Sequence, residues 1–445
     1  MNRELTADLL SIRTAALQAV DPEQAVRRYL RAEPEGAIQA GKATWDTAVA
    51  GRLYLVAVGK AAAPMSKAAV EALGERIQGG IVVTKYGHAA GCSFPPQIRV
   101  FESGHPVPDA AGLAAAQTVS DLVAGLPAGS ALLVLLSGGA SALLPLPEPG
   151  LTLEELQSLT GLLLRSGATI QEINALRKHL DRLKGGKLVR LAAPRPTAAL
   201  ILSDVVGDPL DVIASGPTVA DPTTFADCWQ ILERFGLGEA IPGSIATYLR
   251  EGLAGRRAET PKPGDPLFAA VVNTIVGSNH LAAEAASAEA ARLGYQPLVL
   301  STFVEGEARE AGRLAAALVK GVRYESAPLS PPACLIWGGE TTVTIHGQGI
   351  GGRNQELALS TALSIEGVAD AAVMALATDG SDGPTEAAGA IVDGETAARA
   401  RRLGFDPRRH LSENDSYHLL KSVGALMVTG PTGTNVNDLL VALVK

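Results

Sequence analysis

A lysine, an arginine and an aspartate lie at positions of this sequence that are typical of catalytic or ligand-binding residues. Lys60 follows the apolar run Leu53–Val58, Asp204 follows the apolar run Ala198–Leu202, and Arg353 lies in a glycine-rich stretch. No nucleophile paired with a base is evident beside them. Cations, loops rich in backbone amides and carboxylates at strand ends are typical of phosphoryl transfer, which depends on positioning and on charge stabilisation.

The glycine-rich stretch Gly347–Glu356 carries four glycines in its first six positions, between a β-branched run and an Ala/Leu-rich helical pattern. We expect a strand, a turn and a helix, with backbone amides and the helix start binding an anion that Arg353 and Gln355 could grip. The spacing Gly347-x-Gly349-x-x-Gly352 also fits a dinucleotide fingerprint, and an ordinary tight turn remains an alternative.

A second amide-rich loop, Ser137-Gly138-Gly139-Ala140-Ser141, follows the uncharged run Ala131–Leu136. Its small residues could cradle an anion with main-chain amides. Lys60 opens a helical pattern, where a cation is electrostatically unfavourable, so we expect it to have a function. His105 follows another apolar run, and exposure in a turn is its simplest interpretation.

A helix is predicted after the capping box Thr169-x-x-Glu172, with Ile173, Leu176, Leu180 and Leu183 on its buried face. The opposite face carries Asn174, Arg177, Lys178, Asp181 and Lys184. We expect Arg177 and Asp181 to be solvated there. Lys178, at helical spacing from Asn174, is a candidate ligand of a substrate.

Asp204, Asp208 and Asp211 fall within eight residues after an apolar run. Such carboxylates could hold Mg²⁺ or accept a proton, although Asp208 and Asp211 also suit turn and helix-cap positions. Asp204 is the stronger candidate because it directly follows the strand.

Apolar runs, small or acidic loops and helical patterns alternate through both halves of the chain, which predicts two Rossmann-like α/β domains with mostly parallel sheets. Residues 236–266 mix Gly, Pro, Arg and Glu. We therefore predict an N-terminal domain over 1–240, a linker over 241–266 and a C-terminal domain over 267–445.

The 445 residues carry a formal net charge of −8, which argues against a nucleic-acid surface. The three cysteines fit no metal or redox spacing and suit a reducing cytoplasm. No signal peptide is evident, and the uncharged segment Leu126–Pro147 is interrupted by Gly, Ser and Pro. We expect a cytoplasmic protein without a membrane partner.

Taken together, the motifs resemble the bacterial and animal class of glycerate 2-kinases that carry a C-terminal MOFRL domain (class II). Some members of this family are named hydroxypyruvate reductase. The resemblance extends over nearly the whole chain and rests, in order, on Gly59–Ala61, Ser137–Leu143, Arg177–Leu180 with Lys184–Gly186, Ser203–Thr218, Gly338–Thr341, Gly347–Glu356, Ala377–Thr385, Asp415–Tyr417 and Gly430–Asn435.

This resemblance implies ATP-dependent transfer to the 2-hydroxyl of D-glycerate, with Mg²⁺ and an interdomain cleft. It implies catalytic roles for Lys60 and Arg353, to which we add Asp204 as the group that orients or deprotonates the acceptor. Asp379 or Asp382 would assist Mg²⁺. We assign the other contacts as follows: substrate binding to Ser137, Gly138, Gly139, Ser141 and Lys178, and cofactor binding to Gly347, Gly349, Gly351, Gly352, Asn354 and Gln355. A homodimer is possible.

Two other function classes remain open at this point. An NAD(P)H-dependent hydroxypyruvate reductase would use Gly347-x-Gly349-x-x-Gly352, but Asp379 comes about 27 residues after Gly352, later than the usual ~20. A non-catalytic sensor of sugar acids or nucleotides would bind without turnover, and no DNA-binding module is evident.

Overall fold

The computed structural model describes residues 3–46 and 52–445. Its helices, in chain order, are α1 (Arg3–Ala19), α2 (Pro22–Tyr29), α3 (Ala62–Leu73), α4 (Ala110–Ala124), α5 (Ala140–Leu143), α6 (Leu153–Arg165), α7 (Ile170–Leu180), α8 (Lys187–Ala192), α9 (Phe225–Arg234), α10 (Gly243–Leu253), α11 (Asn279–Arg292), α12 (Ala308–Lys320), α13 (Arg353–Ser364), α14 (Thr396–Arg402), α15 (Pro407–Ser412) and α16 (Ser416–Ser422). Its strands are β1 (Leu30–Ala32), β2 (Ile38–Ala40), β3 (Ala43–Trp45), β4 (Leu53–Val58), β5 (Ile77–Lys85), β6 (Ile98–Ser103), β7 (Ala131–Leu136), β8 (Thr197–Leu202), β9 (Val271–Gly277), β10 (Gln296–Glu307), β11 (Ala333–Thr342), β12 (Ala371–Ala377), β13 (Gly389–Asp393), β14 (Leu426–Met427) and β15 (Asp438–Val444). The predicted α/β class is confirmed.

Contacts divide the chain into two compact units: Pro22–Val276, here called the first unit, and a second unit made of the residues up to Asp21 together with Gly277–Lys445. These bounds differ from the division at residues 240 and 266 that composition suggests. Helix α1 belongs to the second unit, where it packs on α11. Helix α10 falls in the expected linker, yet Ile245 and Leu249 are fully buried in one apolar core with α7 and α9.

The first unit contains a six-stranded sheet in the order β6-β5-β4-β7-β8-β9. The pairs from β6 to β8 are all parallel. Strands β7 and β8 are buried along their whole length, as expected for continuous apolar runs covered on both faces. The order along the chain reverses between β4 and β7, and the carboxyl ends at such a point are where doubly wound sheets bind ligands.

The second unit contains a six-stranded sheet in the order β10-β11-β15-β12-β13-β14. Only β10 and β11 pair in parallel, while the other four pairs are antiparallel. The expectation of mostly parallel sheets therefore holds for the first unit and not for this sheet. Two of the antiparallel pairs involve β15, whose seven buried residues lie between β11 and β12, and the other two are β12 with β13 and β13 with β14.

Helix α1 buries one apolar face, with Leu5, Leu9, Ile12 and Ala16 inaccessible to solvent. The capping box predicted at Thr169 is formed, and a second capping box starts α6 at Thr152. Among the described residues, no helix is long and apolar enough to span a membrane.

The N-cap of α7 provides a test of this local structure. Replacing Thr169 by Ala removes the hydroxyl that accepts from the backbone N–H of Glu172, so the free energy of unfolding should fall by about 1 kcal/mol. Thr14→Ala, at an exposed interior position of α1, is the control and should change it by less than about 0.5 kcal/mol. Equal effects in urea unfolding would contradict the assignment of Thr169 as a cap.

Candidate functional sites

The loops after β4 and β7 are joined directly by their backbones. Val58 pairs with Leu136 at the ends of the two parallel strands. Just beyond, the backbone N–H of Lys60 donates to the carbonyl of Gly138 at 2.9 Å. The N–H of Ala61 donates to Oγ of Ser137 at 3.0 Å. Lys60 and the Ser137–Ser141 loop therefore meet at the edge of the sheet.

Asp204 joins this group from the end of β8. A Cβ atom on Gly138 would lie 1.9 Å from Oδ2 of Asp204, so the carboxylate lies directly against the backbone of Gly138. Gly59 is similarly constrained, because its φ is +131° and a Cβ there would lie 2.2 Å from Oγ of Ser137. The glycines of this site allow a close approach between protein segments.

Lys60 presents a cation in this first site. Its ammonium group has no hydrogen-bond or salt-bridge partner within the described residues, and the side chain is only partly exposed. The carbonyl of Lys60 is held by His88 Nδ1 at 3.0 Å. The backbone is thus fixed while the charge stays available for an anion.

His105 is a member of this site that sequence reasoning left as an exposed turn residue. A Cβ on Gly139 would lie 3.0 Å from Cδ2 of His105 and 3.3 Å from Cγ of Lys60, so both side chains border the loop. Burial lowers the pKa of His105 to about 4, with further contributions from Lys60 and Lys85. Its imidazole is therefore neutral at pH 7. The signal available in the sequence was its position after β6, since neighbouring parallel strands end at one edge.

Ser141 faces a different set of polar groups. Its Oγ lies 2.8 Å from Oγ of Ser215, which donates to Oδ1 of Asn174 at 2.9 Å. Asn174 is buried on α7, although the sequence suggested a solvated face. This chain of hydrogen bonds links the Ser137–Ser141 loop to α7.

Lys178, a predicted substrate ligand, is instead an internal ion-pair partner. It is 2% exposed, and its Nζ lies 3.1 Å from Asp211 and 3.4 Å from Asp221. Since two carboxylates already compensate its charge, the geometry gives Lys178 a structural contact with the 211–221 segment.

The expectation that Arg177 and Asp181 are solvated is wrong. Asp181 is 1% exposed and accepts from the backbone N–H groups of Leu146 and Leu183 and from Nζ of Lys184. Arg177 is partly buried and lines a cavity. Residues around 141–146 and 183–184 cover this side of α7, which helical periodicity alone cannot reveal.

In the second unit, the predicted anion at the start of α13 is the protein's own Asp382. Its Oδ1 accepts from the backbone N–H of Asn354 at 3.1 Å, and its Oδ2 from that of Gln355 at 2.9 Å. The side chains of both residues also donate to it. Burial raises the pKa of Asp382, while these N–H donors favour its ionised form. Asn354 and Gln355 are thus occupied by a carboxylate of the chain.

The glycines of the Gly347–Gly352 stretch face another protein segment. A Cβ would meet Glu413 at Gly347, Asp415 at Gly349, Ser416 at Gly351 and Asp382 at Gly352, in each case within 2.4 Å. The amides of Gly347 and Gly349 donate to Oδ1 of Asn414 and to the carbonyl of Glu413. In this structure those two amides therefore stabilise the loop, where the sequence suggested that they approach a ligand.

Arg353 is held between two carboxylates. It donates to both oxygens of Asp438 and forms a salt bridge of 2.9 Å with Glu340. Asp438 is 2% exposed, and burial raises its pKa to about 6 against the opposing effect of Arg353. Arg353 thus compensates a buried carboxylate of β15, a strand that sequence reasoning missed.

The predicted Mg²⁺ ligands Asp379 and Asp382 differ in their availability. The oxygens of Asp382 accept N–H donors, whereas Asp379 is partly exposed and uses Oδ1 in a turn with the N–H of Ser381 at 3.0 Å. Within residues 3–46 and 52–445, no group of three or more His, Cys, Asp or Glu side chains could hold a metal ion. Mg²⁺ sites in phosphotransferases need only one or two carboxylates beside substrate phosphates and waters, a requirement that Asp379 fits and Asp382 does not.

The contact between Gly138 and Asp204 can be tested by adding one methyl group. Gly138→Ala should displace the carboxylate and lower the free energy of unfolding by about 1 to 3 kcal/mol, because the loop is closely packed. Gly238→Ala is the control, since nothing lies within 4 Å of its Cβ position. Asp204→Ala should relieve part of the cost in the double variant. Additive effects in urea unfolding would show that the two residues do not touch.

The neutral state of His105 can be observed by proton NMR. Its midpoint should lie near pH 4, against an ordinary value of 6.5, and the variant Lys60→Met should raise it because one neighbouring positive charge is removed. Comparison with spectra of His105→Gln assigns the signal. Lys67→Met, on the helix that follows Lys60 and paired with Glu23, should leave the midpoint unchanged. If the His105 midpoint is the same in Lys60→Met as in the unchanged protein, the two side chains do not lie close together.

Comparisons with known proteins agree in placing the chain in one family. Residues 8–250 match the model of a domain of unknown function (DUF4147), and residues 333–438 match the MOFRL family. A D-glycerate 2-kinase of Thermotoga maritima is 44% identical over 431 residues, covering 96% of each chain. A putative hydroxypyruvate reductase of Agrobacterium vitis is 41% identical, covering 97% of this chain and 92% of that one.

A solved structure extends the similarity to three dimensions. The crystal structure of glycerate kinase from Thermotoga maritima matches with a TM-score of 0.88 and 42% identity, covering 99% of this chain and 100% of that one. The fold, the order of the motifs and the match over the whole chain lead to one conclusion. This chain belongs to the glycerate 2-kinase family that combines a DUF4147 domain with a MOFRL domain.

Proposed function

We propose that this protein transfers the γ-phosphoryl group of ATP to the 2-hydroxyl of D-glycerate, giving 2-phosphoglycerate and ADP. The observation that carries the proposal is the meeting of Lys60, the Ser137–Ser141 loop and Asp204 at the ends of β4, β7 and β8. A cation, backbone amides and a carboxylate at one sheet edge are what phosphoryl transfer requires of a protein. The relative of Thermotoga maritima that bears the name D-glycerate 2-kinase supports the same choice of acceptor.

The roles in the first unit follow from charge and position. Asp204 orients the 2-hydroxyl of glycerate and takes its proton while the hydroxyl oxygen bonds to the γ-phosphorus and the bond from that phosphorus to the ADP oxygen breaks. Lys60 stabilises the negative charge on the transferring group. The amides of Gly138 and Gly139 hold the substrate carboxylate or a phosphate, together with Ser141, whereas the amide of Ser137 already donates to the carbonyl of Val58 at 3.0 Å. His105, neutral at pH 7, borders the loop without adding charge.

Mg²⁺ would neutralise charge on the nucleotide phosphates when bound. We propose Asp379 as its protein ligand, because one of its oxygens is left outside the turn with Ser381 and Mg²⁺ needs few protein oxygens. Asp382 keeps the start of α13 in place by accepting its first N–H groups. Nucleotide binding by Gly347, Gly349, Gly351, Gly352, Asn354 and Gln355 stays a prediction that a nucleotide complex can test.

Arg353 acts, in this proposal, by holding Glu340 and Asp438 in position. Its replacement would leave Asp438 buried without a cation, and breaking a buried pair of this kind costs about 3 to 5 kcal/mol of stability. A change at Arg353 would therefore mix an effect on folding with one on turnover. Lys60 gives the cleaner test because its charge has no internal partner among the described residues.

Lys60→Met should lower kcat by about 10² to 10³ and leave the free energy of unfolding nearly unchanged, because a charge stabiliser of the transition state is lost. The measurement is the rate of ADP formation from ATP and D-glycerate, followed in a coupled assay. Lys67→Met is the matched control on α3 and should retain its activity. Ordinary turnover in Lys60→Met would remove this residue from the mechanism.

An NAD(P)H-dependent reductase would need free backbone amides at the start of α13. A dinucleotide site places pyrophosphate at the start of a helix, yet the amides of Asn354 and Gln355 already donate to Asp382. This observation favours the kinase. Incubation with hydroxypyruvate and NADH, beside incubation with D-glycerate and ATP, separates the two: NADH oxidation without ADP formation would reverse the proposal.

A further inference from the structure

A cavity of about 40 Å³ lies in the first unit between α6, α7 and the end of the Ser137–Ser141 loop. Most of its wall is apolar and comes from leucines such as Leu156 on α6 and Leu176 on α7. Its polar lining consists of Ser141, Thr160, Arg177, Asp181 and Lys184.

Arg177 is the unusual member of this lining. In the part of the chain that the structure describes, its guanidinium has no hydrogen-bond or salt-bridge partner. The side chain is partly buried, and burial lowers its pKa while the nearby charge of Asp181 raises it. Taking a cation out of water without a hydrogen-bonded counter-ion costs free energy, so this guanidinium favours the binding of an anion.

The charge of the cavity limits what that anion can be. Asp181 and Lys184 form an ion pair with each other, and Asp181 also accepts three backbone N–H groups, from Leu146, Leu183 and Lys184. Their charges cancel, which leaves the single positive charge of Arg177. A monoanion such as a carboxylate balances that charge, whereas a doubly charged phosphate would not.

We propose that Arg177 binds the carboxylate of the hydroxy-acid substrate, with Ser141 at the side of the cavity that adjoins the loop. This inference rests on the proposed function and assigns the carboxylate to a side chain, so that the amides of Gly138 and Gly139 are left for the phosphoryl group. Guanidinium and carboxylate match as a planar, bidentate pair.

The size of the cavity agrees with this occupant. One water needs about 10 to 15 Å³, so 40 Å³ holds roughly three water-sized groups, the number of heavy atoms in a carboxylate. The hydroxyl-bearing end of the acid then projects toward the loop that carries Ser141. From Ser141, hydrogen bonds continue through Ser215 to Asn174, one turn before Arg177 on α7.

The test is calorimetric titration of the full chain with D-glycerate in the absence of nucleotide. Arg177→Met should weaken binding about tenfold or more, because a charge-assisted pair is lost, and Arg177→Lys should fall between it and the unchanged protein. Arg165→Met, an exposed guanidinium on α6, is the control and should bind normally. Glycerol, which lacks the carboxylate, should bind the protein and Arg177→Met equally weakly.

Two further readouts exclude a merely structural role for Arg177. Without ligand, Arg177→Met should melt at the same temperature as the unchanged protein or higher, since a partly buried cation is removed without loss of a hydrogen bond or salt bridge among the described residues. In the coupled assay, KM for glycerate should rise about tenfold or more while KM for ATP stays within about twofold.

Normal binding of D-glycerate by Arg177→Met would overturn the inference and leave the kinase proposal standing. Binding of D-glycerate that depends on Arg177, without any ADP formation, would overturn the kinase proposal and support the carboxylate site. No binding of D-glycerate by the unchanged protein would overturn the inference as well.

Discussion

The parallel pairing of β4 with β7 is the constraint on which the candidate active site depends. Because Val58 and Leu136 are paired at the strand ends, Lys60 and Gly138 leave the sheet together, and their backbones form a hydrogen bond of 2.9 Å. The glycine at 138 then lets the carboxylate of Asp204 approach from the end of β8. The backbones of the site are thus joined by hydrogen bonds, and its charged side chains follow neighbouring strands.

Much of this site could be predicted from the sequence, because the rule behind it is local. Continuous apolar runs predict buried parallel strands, and the residues after such runs must gather at one edge. This rule identifies Lys60, Ser137 and Asp204 as candidate site residues. The same rule applies to His105, which follows β6. Its burial beside Lys60 was missed because composition says nothing about which loop covers which.

The parts that escaped prediction depend on partners distant in sequence. Periodicity gave α7 the correct buried face, but it could not show that other segments also cover the face with Arg177 and Asp181. The anion expected at the start of α13 was physically reasonable, yet Asp382, more than twenty-five residues later, supplies it from within the chain. Strand β15 was overlooked, and with it Asp438, the carboxylate that holds Arg353.

Phosphorus NMR of the reaction product identifies which hydroxyl receives the phosphoryl group. With ATP and D-glycerate, we expect a new phosphomonoester signal split into a doublet, since the phosphorus of 2-phosphoglycerate couples to the single proton on C2. A triplet would show transfer to the CH₂ hydroxyl instead. Either that result, or no phosphoester in a mixture that contains folded protein, ATP and Mg²⁺, would contradict the assignment of this site to 2-hydroxyl phosphorylation.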